Sequence, residues 1–204
     1  MLSLKNSLAV LKRTNALLEG HFVLSSDLHS PYYIQCAKLL SQPHLASKIC
    51  VSLSKKIKKK FNKIDIILSP ALGGVVVGYE VGRQLEIETI FAERIDGKLT
   101  LRRNFSIKQN SNVLVVEDVI TTGKSALECS NIVKKNKANL VGYACIIDRT
   151  NNKVFTKHEI ISLIKLKICI NYKMFGEIFS LKNIIILALV MLSVSFVANN
   201  LQKS

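Results

Sequence analysis

Acidic side chains are scarce in this sequence. Fourteen Asp and Glu stand against 29 Lys and Arg in 204 residues, a formal charge of +15. Such an excess of base suits nucleic acid, a membrane surface or a phosphorylated small ligand, and otherwise simply solvates a surface. The lysines are scattered, and many fall on one face of an expected helix, which is the solvated pattern. Basic residues interleaved with stacking aromatics are missing, so nucleic acid is not an expected partner. The five cysteines, Cys36, Cys50, Cys129, Cys145 and Cys169, are odd in number, and no two have metal-ligand or redox spacing. Free thiols in a reducing cytosol follow, hence an expected cytoplasmic location. The opening "MLSLKNSLAVLKRTNALLEG" lacks the long apolar core of a secretory signal. The uncharged run "IIILALVMLSVSFVA", residues 184–198, is fifteen residues long, short of the roughly 18 to 20 that a spanning helix needs, so a membrane is not expected either. Internal repeats and low-complexity blocks are also missing.

What is present is a chain with 49% hydrophobic residues, long enough for one domain with a real core. The first twenty residues read as a helix, with Leu4, Leu8 and Leu11 at helical spacing. The following "FVLSSDLHSPYYIQCAKLL" is turn-rich, with Pro31 expected to stop regular structure. Leu45, Ile49, Leu53, Ile57 and Phe61 recur every four residues among lysines, an amphipathic helix. "IDIILSPA" and "TIFAERI" read as buried strands around the helical "GGVVVGYEVGRQL", whose glycines suit close approach to other backbone. "DGKLTLRRNF" reads as a hairpin or mobile loop turning at Asp96-Gly97. A strand over 113–117, a helix from about 123 to 136, the strand "NLVGYACIID" and a late strand "EIISLIKLKI" complete the pattern. Strands alternating with helices predict an α/β, doubly wound, mainly parallel central sheet flanked by helices. In such sheets, ligands bind beyond the C-terminal ends of the strands.

One stretch carries chemistry. "VLVVEDVITTGKSA", residues 113–126, runs an apolar strand into Glu117 and Asp118 and then into a small, hydroxyl-rich turn. Carboxylates at a strand end are acceptors only, suited to sugar hydroxyls or, through water, to a divalent cation. The turn after them offers successive backbone N–H groups at a helix N-terminus, a nest for a phosphate, and Gly123 lets the backbone close on it. Acids for ribose hydroxyls beside a phosphate nest describe a ribose 5-phosphate site. A Walker loop is excluded, because it needs G-x-x-x-x-G-K-[ST] and only one glycine stands here.

"VLVVEDVITTGKS" resembles the phosphoribosyl diphosphate motif of type I phosphoribosyltransferases. "GHFVLSSDLHSPYYIQCAKLL" resembles the N-terminal hood of the orotate phosphoribosyltransferases. "FAERIDGKLTLRRNF" is similar to their catalytic loop in the longer-chain branch, and "IIDR" to the segment that ends in their orotate-binding arginine. The likeness spans about residues 5 to 170. It implies the type I fold with a small hood, a phosphoribosyltransferase domain over 1–172 (helix and hood over 1–42) and an atypical hydrophobic tail over 173–204. It also implies transfer of ribose 5-phosphate from phosphoribosyl diphosphate to orotate in pyrimidine synthesis. The implied phosphoribosyl diphosphate ligands are Glu117, Asp118, Val119, Ile120, Thr121, Thr122, Gly123, Lys124 and Ser125, with the acids on the ribose hydroxyls. Thr121, Arg149 and Tyr33 would meet orotate, and the "SPALGG" turn, 69–74, would approach pyrophosphate. Arg94, Lys98, Arg102, Arg103 and Asp118 would be the catalytic set. Mg²⁺ would arrive with the substrate rather than through direct protein ligands. The loop would close over the neighbouring subunit's site, so a homodimer is implied.

His21 and His29 are expected to pack or hydrogen-bond rather than catalyse, and Tyr32, like Tyr33, belongs to the hood. The chain departs from shorter family members, which carry lysines where Ser25 and Gly73 stand here, so cationic work falls on the arginines and Lys98. Two other readings remain at this stage. A phosphoribosyltransferase for another base is opposed by the hood and Arg149. A non-catalytic phosphoribosyl diphosphate sensor acting through the basic surface is opposed by the intact loop.

Overall fold

The computed structural model describes residues 2–23, 29–150 and 158–166. Helix α1 (Leu4–Arg13) is capped by Ser3, whose hydroxyl accepts from the Asn6 N–H at 3.1 Å. The helix expected over the first twenty residues therefore stops early. Thr14 turns its hydroxyl onto the carbonyls of Val10 and Leu11, Asn15 enters the left-handed region at φ 55°, and strand β1 (Leu17–Val23) begins. Both are residue types that compete with helical backbone or tolerate that turn. Strand β2 (His29–Ile34) contains Pro31, contrary to the expectation that this proline ends regular structure. β1 and β2 make a two-stranded sheet of their own, where the missing N–H is tolerated because every strand is an edge.

After α2 (Cys36–Leu40), α3 (Pro43–Lys60) starts with proline in its first turn and buries Leu45, Ile49, Leu53 and Ile57. The main sheet follows: β3 (Ile66–Pro70), α4 (Gly73–Leu85), β4 (Glu88–Ile95), β5 (Lys98–Leu101), β6 (Asn112–Ile120), α5 (Lys124–Lys135), β7 (Asn139–Asp148) and β8 (Ile160–Lys165). Its order is β5-β4-β3-β6-β7-β8, with β5 antiparallel to β4 and the other neighbours parallel. The expected doubly wound sheet is therefore present.

Period-two alternation sorts the core onto two faces. Leu114 and Val116 of β6, with Ile67 of β3, pack with buried residues of α1 to α4. Val113 and Val115, with Ile66 and Leu68, pack with Ala126, Cys129, Ile132 and Val133 of α5. Cys36, Cys50, Cys129 and Cys145 are free thiols inside these cores. Burial, first among the causes, holds all four above the ordinary range, with Cys50 pushed up to about 12, so they are poor nucleophiles.

α4 lies close to the sheet because glycines face it. A side-chain carbon added at Gly82 would fall 2.0 Å from Thr89 Oγ1 and 2.8 Å from the Ile87 carbonyl oxygen. The second contact is with backbone, which cannot rotate away. Gly82→Ala is expected to destabilise the protein by about 1–3 kcal/mol, the usual cost of overpacking. Urea denaturation would read this as a lower midpoint, and an unchanged midpoint would mean that helix and sheet are not in contact there.

The chain divides into two compact units, Met1–Gly20 with Tyr32–Ile168, and His21–Pro31 with Cys169–Ser204. In the second unit the described residues include His21 and His29, whose rings stack at 4.8 Å with Nε2 and Nδ1 2.5 Å apart. Ser25, Cys169 and the hydrophobic tail over 173–204 lie outside the described residues. Among the described residues no helix is long and apolar enough to cross a membrane.

Candidate functional site

The sheet has one place where its winding reverses. From β3 the chain crosses through α4 to β4 on one side, and from β6 it crosses through α5 to β7 on the other. The two helices pack on opposite faces, as the two cores show. β3 and β6 therefore part at their C-terminal ends and leave a crevice, the usual ligand position in such a fold. The register gives its depth. β3 pairs with β6 only as far as Leu68 opposite Val115, whereas β6 pairs with β7 up to Ile120 opposite Asp148. Residues 117–120 thus have a strand partner on the β7 side and lie past the end of the β3 pairing.

This corrects the expected end of the strand at 117. β6 continues to Ile120, so Glu117 and Asp118 are in extended backbone and their side chains take opposite faces. Asp118 is on the α4 face. Its carboxylate lies over Gly73, where an added side-chain carbon would meet Oδ2 at 2.5 Å. Gly73 opens α4, so the carboxylate sits at a helix N-terminus, where negative charge is favoured. Burial raises the Asp118 carboxyl above its ordinary range, and the N–H groups of Val119 and of Asp118 itself oppose that. Glu117 is on the α5 face, where it influences Cys129 and Cys145. Burial chiefly, and then the charge of Asp118, push the Glu117 carboxyl up to about 8. The sequence signal for divergent acids was adjacency itself: two neighbours in one strand cannot share a face.

Between β3 and α4 the chain turns through Ala71–Leu72, a cis peptide, and the Ala71 N–H donates to the Ala92 carbonyl of β4 at 2.9 Å. The 69–74 turn therefore stands at the crevice. Any side chain at position 73 would displace the Asp118 carboxylate, which accounts for glycine there.

The second wall is the turn from β6 into α5. Thr121, Thr122 and Lys124 are exposed, Ser125 is half-buried and Gly123 is buried. Gly123 caps α5 in the left-handed region at φ 74°, with no side-chain cap. The Lys124 N–H reaches Thr122 Oγ1 at 3.4 Å, and the Leu127 N–H reaches the Gly123 carbonyl at 2.8 Å. The first-turn N–H groups of a helix have no intrahelical acceptor, so this turn can hold an anion. Val119 and Ile120 belong to the strand. The Ile120 side chain is in the core and its carbonyl accepts from the Arg149 N–H at 2.8 Å. That bond carries Arg149, which is 7% exposed, to the end of β6 beside the turn.

The hairpin β4–β5 holds the four loop cations. Arg94 pairs with Glu128 of α5 at 3.1 Å, and Glu128 also accepts from the Leu99 N–H at 3.0 Å. Arg102 and Arg103 both reach Glu93, and Arg103 stands 5.9 Å above the Phe91 ring. Lys98 opens β5. Glu93 and Glu128, as anchors for these cations, were not singled out from sequence. Their signal is a carboxylate one strand or one helix turn from a basic loop, too common to be read without the fold. The Arg102 and Arg103 side chains are 56% and 63% exposed, whereas Glu93 is only 18% exposed, so solvent screens these pairs from the arginine side alone. Tyr33 lies on the two-stranded sheet, 41% exposed, and not in the six-stranded one.

Among the described residues no group of three or more His, Cys, Asp or Glu gathers as a metal cage.

Comparison with known proteins agrees with this fold. The phosphoribosyl transferase domain model matches residues 37–182. An orotate phosphoribosyltransferase of Caldicellulosiruptor bescii is 50% identical over 157 residues, 77% of this chain and 82% of the relative. One from Chlorobium phaeobacteroides is 48% identical over 147 residues, 72% of this chain and 75% of the relative. The crystal structure of orotate phosphoribosyltransferase from Aeropyrum pernix superposes with a TM-score of 0.65 at 22% identity, covering 83% of this chain and 95% of that one. That likeness speaks for the type I fold alone. With half of the 157 aligned residues identical across 82% of a relative, and with the domain model matching most of the chain, the chain belongs to the orotate phosphoribosyltransferase family.

Proposed function

We propose that this protein transfers ribose 5-phosphate from phosphoribosyl diphosphate to orotate, giving orotidine 5′-monophosphate and pyrophosphate in pyrimidine synthesis. The observation that carries this reading is the stretch 117–125 folded across the crevice between β3 and β6. Two carboxylates precede the Gly123 turn into α5 there, and Arg149 is tied to the same strand end. A ribose lying across the end of β6 would meet Glu117 from the α5 side and Asp118 from the α4 side. Its 5-phosphate would take the N–H groups and hydroxyls of Thr121 to Ser125, and the 69–74 turn would receive the pyrophosphate.

In the reaction the bond from ribose C1 to the pyrophosphate oxygen breaks, its electron pair leaves with pyrophosphate, a bond forms from C1 to the orotate ring nitrogen, and the proton of that nitrogen passes to the departing pyrophosphate. Positive charge develops on the sugar, and the nearby Asp118 carboxylate stabilises it. Mg²⁺ bound to the diphosphate would neutralise leaving-group charge, with Glu117 and Asp118 as its water-mediated neighbours. Arg102, Arg103, Lys98 and Arg94 supply cations from the hairpin. Closure over the site would exchange the pairs of Arg102 and Arg103 with Glu93 for the pyrophosphate. A homodimer in which this hairpin serves the neighbour suits the exposed Leu72, Val76 and Tyr79 along α4, an apolar strip that a second copy would cover. The free buried thiols suit a cytoplasmic setting.

Loss of orotate absorbance in the presence of phosphoribosyl diphosphate and Mg²⁺, with purine bases as controls, tests the reading. Consumption of a purine and not of orotate would overturn it. Arg149→Ala is expected to weaken orotate binding by about 2 to 5 kcal/mol, the cost of leaving a buried charge without its partner, while phosphoribosyl diphosphate binding changes little. Separate titrations of the two ligands check this, and equal losses would remove Arg149 from the orotate site.

A further inference from the structure

Asp148 is the last residue of β7 and is only 3% exposed. The two residues before it, Ile146 and Ile147, are core aliphatics, so packing alone would be served by another of the same kind. A buried carboxylate is costly unless it is bonded, and this one is. Its Oδ1 accepts from the Thr150 N–H at 2.9 Å and from Thr150 Oγ1 at 2.8 Å. Its Oδ2 lies 3.8 Å from Lys165 Nζ, and its backbone carbonyl accepts from the Leu166 N–H at 2.9 Å. Both side-chain bonds reach over one residue, Arg149, whose own N–H is held by the Ile120 carbonyl at 2.8 Å. The backbone that carries Arg149 is thus clamped from β6, from β8 and from within its own turn. An aspartate bonding two residues ahead is a local device for shaping backbone.

We propose that Asp148, acting through Thr150, is a positioning residue for Arg149 and so a determinant of orotate affinity. This rests on the reading of Arg149 as the orotate carboxylate ligand. Orientation of a binding group matters because displacement by about 1 Å from productive geometry can cost on the order of 10²-fold.

The test uses the full chain and separate KM values for orotate and phosphoribosyl diphosphate. Asp148→Ala and Thr150→Val are expected to raise the orotate KM about tenfold or more and to leave the phosphoribosyl diphosphate KM nearly unchanged. Asp148→Asn, which keeps an acceptor for both donors, and Thr150→Ser, which keeps the hydroxyl, are expected to stay near the parent. In an Arg149→Ala background, Asp148→Ala should add nothing to the orotate KM, because coupled residues are non-additive. Parallel rises in both KM values, or a full additional rise without Arg149, would overturn the proposal. If Arg149→Ala alone weakens orotate while Asp148→Ala and Thr150→Val do not, the orotate reading stands and the positioning role falls. If Arg149→Ala leaves orotate affinity intact, both fall. Should Asp148→Ala fail to fold, Thr150→Val decides, since it removes one hydroxyl at nearly constant shape.

Discussion

Asp118→Asn is expected to lower turnover by about 10²- to 10³-fold, the usual cost of removing one electrostatic stabiliser, while the protein stays folded. Asparagine has the shape of aspartate, so it fits the space over Gly73 that a glycine alone leaves open. The α4 N-terminus remains beside it, and the N–H groups of Val119 and residue 118 still find an oxygen. What is lost is the negative charge facing a sugar carbon that becomes positive. Because burial already raises this carboxyl above its ordinary range, the neutral side chain is not expected to lower stability. Turnover at saturating concentrations of both substrates, read beside a thermal melt, checks both halves. Parent-like turnover in a folded variant would take Asp118 out of the reaction.

Glu117 gives the second large effect, and it depends on pH. Its carboxyl is pushed up to about 8 in the folded protein, by burial first and by Asp118 second, against an ordinary value of 4.5. The fold therefore favours the protonated form. The stability tied to that proton is fully present below about pH 4.5 and is lost progressively as pH rises to about 8. At about 1.4 kcal/mol per pH unit, the interval bounds the loss at about 5 kcal/mol. Glu117→Gln carries no such charge, so it should melt with the parent near pH 4.5 and several degrees above it at pH 8, at about 2–4 °C per kcal/mol for a chain of this size. Ligand binding should run the other way. If the ribose and its cation need ionised Glu117, affinity for phosphoribosyl diphosphate with Mg²⁺ rises with pH by up to about tenfold per unit and levels above about 8. The Gln variant should bind weakly with a flat profile. Identical melting of parent and variant at pH 8 would contradict the burial of this charge, and a flat parental binding profile would remove Glu117 from the ligand.

These two acids also mark how far local sequence reaches. The turn from β6 into α5 is legible locally because its determinants are contiguous: an apolar strand, hydroxyls, one glycine and a helix start lie within fourteen residues, "VLVVEDVITTGKSA". That the acids diverge to opposite faces depends on where β6 ends, and that is set by pairing with β7 up to Asp148, which is non-local. The early end of α1 followed from Thr14 and Asn15, whose local bonding outweighed a leucine repeat. Pro31 misled because its effect depends on whether its strand is an edge.

By itself, then, the sequence determined the alternation of strands and helices, the two-faced core, the glycine face of α4 and the glycine turn from β6 into α5, since period and neighbouring residue types dictate each of them. Only the tertiary structure decided which partners meet across the chain. Gly73 opens a place for a carboxylate 45 positions away. Glu93 and Glu128 take up the hairpin arginines, and Asp148 clamps the segment that carries Arg149 to the end of β6. Such pairings follow from strand order and register, which join residues by hydrogen bonds between distant segments and leave no periodic trace in the local sequence.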